Sequence, residues 1–113
     1  MGVHLETSAD LAIVKLSGNF FGDRETEKLR HVFRQLVAEG NLKLIVDLGG
    51  VRNLNSMALG DLVHIHTNYI NRGGRIILAN LDKKLDDLLT ITRLARVFEI
   101  GPTLSEAMAK FGA

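Results

Sequence analysis

The sequence contains no cysteine. That absence removes disulfide staples, thiol nucleophiles and thiolate metal sites together. An excess of charge is missing as well: 14 basic side chains stand against 13 acidic ones, interspersed along the chain, for a formal charge of +1. So balanced a chain offers no basic stripe to a phosphate backbone, and nucleic acid is not an expected partner. No apolar run approaches the ~20 residues of a membrane span, and Met1 to Asp10 lacks the charged-then-apolar layout of a signal peptide. The expectation is a soluble, cytoplasmic protein without direct membrane insertion.

What is present is the composition of an ordinary globular domain, 46% apolar and 24% charged over 113 residues. That length encloses one real core, so residues 1–113 read as a single domain. Repeats, low-complexity stretches and internal linkers are not seen.

The apolar pattern changes period along the chain. Val3 to Glu6 and Ala12 to Ser17 alternate apolar and polar around the turn residues Ser8-Ala9-Asp10, which predicts a hairpin. Gly18 to Gly22 reads as a loop, with Phe20 or Phe21 packed under it. From Asp23, Leu29, Val32, Phe33, Leu36 and Val37 fall at helical spacing, with Asp23 as N-cap and Gly40 as stop. Leu42 to Asp47 reads as a strand and Leu48 to Leu54 as a loop.

A second helix is expected from Asn55 to Arg72, ended by Gly73-Gly74, with Leu59, Leu62, Val63, His66 and Ile70 as its buried stripe. Arg75 to Ala79 reads as a strand, Asp82 to Thr90 as a helix and Val97 to Ile100 as a short strand. Pro102, then Thr103 with Glu106 three positions on, signals a last helix to Lys110. Alternating strands and helices predict an α/β domain, with a mainly parallel four- to five-stranded sheet after the hairpin. Polar residues alternating within the strands place the four main helices largely on one face.

Candidate chemistry centres on Asn55-Ser56, where an apolar strand leads through a turn into a helix. A helix start leaves backbone N–H groups unpaired and carries the positive end of the dipole, so an anion there is stabilised. Either residue can serve as a cap, and the Ser56 hydroxyl can also act as a phosphate acceptor. A nucleophile elbow centred on Ser56 would want flanking glycines where Leu54 and Ala58 stand, so serine catalysis is not indicated. Gly49-Gly50 and Gly73-Gly74 lack the Gly-Lys-Ser/Thr ending of a phosphate loop. His64 and His66 lie two apart on a helix and point ~200° from each other, which does not suit a shared ion; His4 and His31 add no ligand spacing. Asp86 and Asp87 diverge in the same way. No metal, cofactor or catalytic residue is expected. Met57, Asp61, His64, Ile65 and Asn68 recur at helical spacing opposite the expected buried stripe, which marks a candidate partner-binding face.

With these residues in hand, the chain resembles a STAS domain, the fold of bacterial anti-sigma factor antagonists and of the tails of sulfate transporters. The resemblance rests on Val14-Lys15-Leu16-Ser17-Gly18 leading to Asp23, on Leu44-Ile45-Val46-Asp47-Leu48, and on Asn55-Ser56-Met57-Ala58-Leu59-Gly60. Gly73-Gly74-Arg75-Ile76-Ile77-Leu78-Ala79 and Leu94 to Ile100 complete it. In that family the central motif usually reads Asp-Ser-Ser/Thr-Gly-Leu-Gly, and its first serine is phosphorylated by a cognate anti-sigma factor kinase. Ser56 stands at that serine, with Asn55, Met57 and Ala58 in place of the usual neighbours. The resemblance implies a non-enzymatic anti-sigma factor antagonist in a partner-switching pathway of transcription regulation. Its partner would be an anti-sigma factor or serine kinase, bound through Asn19, Phe20, Asp23, Asn55 and the second-helix face, with Ser56 as phosphorylation site. It also implies an alternative, a scaffold subunit of a lipid ABC system or a stress complex that is never phosphorylated, and it leaves a homodimer open.

Overall fold

In the computed structural model, which describes residues 2–8, 10–20 and 23–112, with backbone alone for 23–25, hairpin and helices follow the expected order. The elements are β1 (Gly2–Ser8), β2 (Leu11–Phe20), α1 (Asp23–Ala38), β3 (Lys43–Leu54), α2 (Ser56–Asn71), β4 (Arg75–Ala79), α3 (Lys83–Ile91), β5 (Glu99–Gly101) and α4 (Leu104–Lys110), with a 3-10 turn at Leu94–Arg96. Ala9, Phe21, Gly22 and the Asp23 side chain lie outside the described residues, and with them the apex of the first turn and the expected N-cap of α1.

The 5-stranded sheet keeps sequence order, β1-β2-β3-β4-β5, with β1 antiparallel to β2 and the other pairs parallel. Each crossover steps to the neighbouring strand, and α1, α2 and α3 all return over the same face. Their side chains Leu29, Phe33, Leu62, Leu85 and Leu89 meet Val14, Leu44, Val46 and Leu78 of the sheet in the main core. Among the described residues, the other face is covered by α4, through Ala107, Leu104, Met108 and Phe111 over Ile13, Ile45 and Ile77. This second contact is why Leu44-Ile45-Val46 and Ile76-Ile77-Leu78 are unbroken apolar runs: both faces of the strand centres are buried. α4 comes so close to β5 that a Cβ on Gly101 would sit 2.8 Å from the Ala107 Cα.

Two strands run further than expected. Gly18 to Phe20 and Leu48 to Leu54 are not loops but extensions of β2 and β3, which pair with each other up to Phe20↔Leu54 across two register shifts. Gly49 and Gly50 resemble turn residues in sequence, yet neither takes a positive φ, whereas Gly18, Gly40 and Gly73 do. Gly50 is needed for another reason. A Cβ there would meet the Ser17 Cβ at 2.9 Å and the Leu16 carbonyl oxygen at 3.0 Å, so the bulged strands approach only because position 50 has none.

The buried stripe of α2 is rotated from the expected one. Ala58, Leu59, Leu62, Ile65 and Tyr69 face inward, while Ile70 is exposed and Val63 and His66 are only partly covered. α1 packs against the flank of α2 that carries Ile65, and the Tyr69 hydroxyl donates at 2.7 Å to Oδ1 of Asn41, in the connection that leads into β3. Desolvation of the Tyr69 phenol raises its pKa far above the ordinary value.

Candidate functional site

The paired ends of β2 and β3 deliver the chain to the start of α2. The Asn55 N–H donates to the Phe20 carbonyl at 3.1 Å, which fixes where the helix leaves the sheet. Asn55 Oδ1 then accepts from the Ala58 N–H at 3.0 Å, so the cap is Asn55. Ser56 is relieved of that task and stands exposed as the first helical residue. The first turn of α2 carries no acidic side chain, so the positive end of its dipole is not offset locally.

Beside Ser56, Met57 is 48% exposed. Its sulfur accepts from Thr26 Oγ1 at 3.8 Å, and Arg30 Nη2 donates to the same Thr26 oxygen at 3.1 Å. Arg30 Nε lies 3.5 Å from Asp61 Oδ2, an oxygen otherwise without a hydrogen bond. α1 and α2 are thus tied by a polar line running Met57, Thr26, Arg30, Asp61. Further along, Arg34, His64 and Asn68 join Arg30 and Asp61 around a cleft of about 240 Å³ floored by Ile65. On the other side of Ser56, Asn53 Nδ2 donates to Asn19 Oδ1 at 2.9 Å, and Asn53 Oδ1 accepts from Lys84 Nζ.

Most of the expected partner-facing residues therefore share one surface: Asn19, Asn55, Met57, Asp61, His64 and Asn68 surround the start and outer side of α2. Two do not reach it. Ile65 is 5% exposed and Phe20 0%, both in the core, because α1 covers one and the strand extension carries the other under the helix start. The side chain of Asp23 is outside the described residues. Thr26, Arg30, Asn53 and Lys84 were not singled out from the sequence; the i, i+4 spacing of Thr26 and Arg30 was visible, but their meeting with Met57 depends on how α1 packs.

Asp47 is buried rather than solvated: its Oδ1 accepts from the Gly49 N–H at 2.9 Å and from Asn80 Nδ2 at 3.0 Å. It joins β3 to the residue that follows β4. His66 packs edge-on against Phe98, ring centroids 5.3 Å apart, and burial lowers its pKa. Among the described residues, no three His, Asp or Glu side chains come together as a metal site, and no helix is long and apolar enough to cross a membrane.

The STAS domain family profile matches residues 3–107. The chain belongs to the STAS domain family. A Thermotoga maritima protein, provisionally named an anti-sigma factor antagonist, is 32% identical over 77 residues, which is 68% of each chain. The crystal structure of a Thermotoga maritima protein with the same provisional name superimposes with a TM-score of 0.84 at 25% identity, covering 96% of this chain and 92% of that one. The Bacillus cell fate determinant SpoIIAA, in its phosphorylated form, shares the fold at 17% identity with a TM-score of 0.77, covering 97% and 99%. The five-stranded sheet with its antiparallel first hairpin is thus the STAS fold, and the surface around Ser56 sits at the start of its second helix.

Proposed function

We propose that this STAS domain is a non-catalytic anti-sigma factor antagonist that binds an anti-sigma factor with serine-kinase activity through the start of α2, and that phosphorylation of Ser56 releases the complex. The observation that carries the reading is the division of labour at the helix start: Asn55 makes the cap, leaving the Ser56 hydroxyl exposed beside Met57. Names given to relatives support the antagonist role. A phosphate at position 56 would bring about −1.5 to −2 charges to the first turn of α2, where the positive end of the helix dipole tolerates them. The same charge would face the partner, where each ~1.4 kcal/mol of repulsion or desolvation weakens binding tenfold. The test is the affinity of wild type, Ser56→Ala and Ser56→Asp for the anti-sigma factor kinase of the same genome. Wild type and Ser56→Ala should bind alike and Ser56→Asp at least tenfold more weakly; equal binding by all three removes the switch.

A second reading is favoured by Asn55 and Met57, which stand where the family usually has an aspartate and a hydroxyl residue. It makes the chain an unphosphorylated scaffold in a lipid ABC system or stress complex, using the same face. Neighbouring genes for a permease and an ATPase, rather than for a kinase and a sigma factor, would favour it.

A further inference from the structure

Beyond the α2 face, the surface between the end of β3 and α3 opens into a groove of about 650 Å³. Its walls are apolar. Leu54 and Leu88 are half-buried, and Ile91 is 79% exposed, more than any other large apolar side chain described. Leu54, Leu85 and Leu88 continue downward into a seam lined by leucines of β3, α2, β4 and α3, where about 10 Å³ of space remains. The floor is therefore hydrocarbon without a competing polar atom. Volume and lining match those of small-molecule sites, which are mostly apolar with a few placed polar groups.

The polar groups stand at the rim: Asn53, Lys83, Lys84 and Asp87. Two ammonium groups against one carboxylate leave the mouth positive, and the contact of Lys84 Nζ with Asn53 Oδ1 holds one cation there. An apolar trough with a positive mouth complements an amphiphile with a negative head.

We infer that the β3–α3 groove binds a single-chain fatty carboxylate, with its chain along α3 toward Ile91 and its head group at Lys83 and Lys84. From Lys83 to Ile91 the helix rises about 12 Å. A staggered carbon chain advances roughly 1.2 Å per bond, as an extended backbone does, so about ten carbons span the groove. The inference does not rest on phosphorylation of Ser56, and Leu54 in the groove wall directly precedes the Asn55 cap of α2.

The experiment is an amide-resolved NMR titration of the full chain with sodium decanoate, kept below its micelle concentration. Parallel titrations use decyltrimethylammonium, hexanoate and an acidic amphipathic peptide. Decanoate should give saturable shifts confined to Asn53–Leu54 and Lys83–Ile91, with decyltrimethylammonium at least tenfold weaker. Each methylene removed should weaken binding roughly two- to fourfold, as expected for groups half to fully withdrawn from water. Ile91→Asp, at an exposed position, should abolish the shifts, and Lys83→Glu with Lys84→Glu should reverse the preference for the anionic head. Scattered or absent shifts, equal binding of the cationic amphiphile, or saturation by the peptide where decanoate fails would overturn the inference.

Discussion

Replacing Asn55 separates the structural role of the α2 start from its role toward a partner. In Asn55→Ala the Ala58 N–H loses its acceptor, 3.0 Å away in the native chain. Ala58 is fully buried, so water replaces that acceptor poorly and the cost falls in the upper half of the usual cap range, about 1–2 kcal/mol. At ~2.1 cal/mol/K per residue, unfolding entropy for this length converts that to a fall in Tm of about 4–8 °C. Asn55→Asp keeps the acceptor and adds a negative charge where the first turn has none. It should raise stability by about 0.3–1 kcal/mol at low ionic strength, and less in high salt. Calorimetry of the three proteins at two salt concentrations reads both effects. If Asn55→Ala melts within ~2 °C of wild type, or Asn55→Asp loses as much as the alanine variant, the capping argument is wrong.

Other substitutions test the packing around the site. Gly50→Val forces a side chain into the Ser17 Cβ and the Leu16 carbonyl, and urea unfolding should show a loss of about 1–3 kcal/mol, the usual range for overpacking. Ile65→Ala should cost about 2–5 kcal/mol as a core truncation, while Met57→Ala, at an exposed position, should change stability by less than ~0.5 kcal/mol, so the two separate core from surface on one helix face. His66 has a pKa lowered by burial, so the unfolded chain binds its proton more readily than the folded one. Its contribution is complete above the unfolded value of about 6.5 and is lost as pH falls toward the lower folded value. Denaturant midpoints measured from pH 7.5 to 5 should therefore fall for wild type and fall less for His66→Leu.

The sequence was most readable where one local rule acted alone. Asn55, Asp82 and Thr103, the first residues of three expected helices, are the N-caps of α2, α3 and α4, and Gly40 and Gly73 take the left-handed conformation at helix ends. It misled where tertiary packing decided. Gly49-Gly50 looked like a turn, because nothing local shows that β2 extends alongside and needs a strand without Cβ at position 50. The apolar spacing of α2 reads as that of a helix packed on the sheet alone. α1 covers Ile65, Tyr69 turns in against Asn41 and Gly74, and Ile70 is left outside. Ser56 stood out because a strand leads into a helix there, whereas the line from Met57 through Thr26 and Arg30 to Asp61 needed the fold.

Incubating the protein with the anti-sigma factor kinase of the same genome and ATP, while following both the site of modification and the complex, tests the Ser56 switch itself. A single phosphate should appear on the peptide carrying Ser56, with dissociation of the complex in step with its appearance. A complex that persists with Ser56 fully phosphorylated, or one that dissociates with Ser56 unmodified, would contradict it.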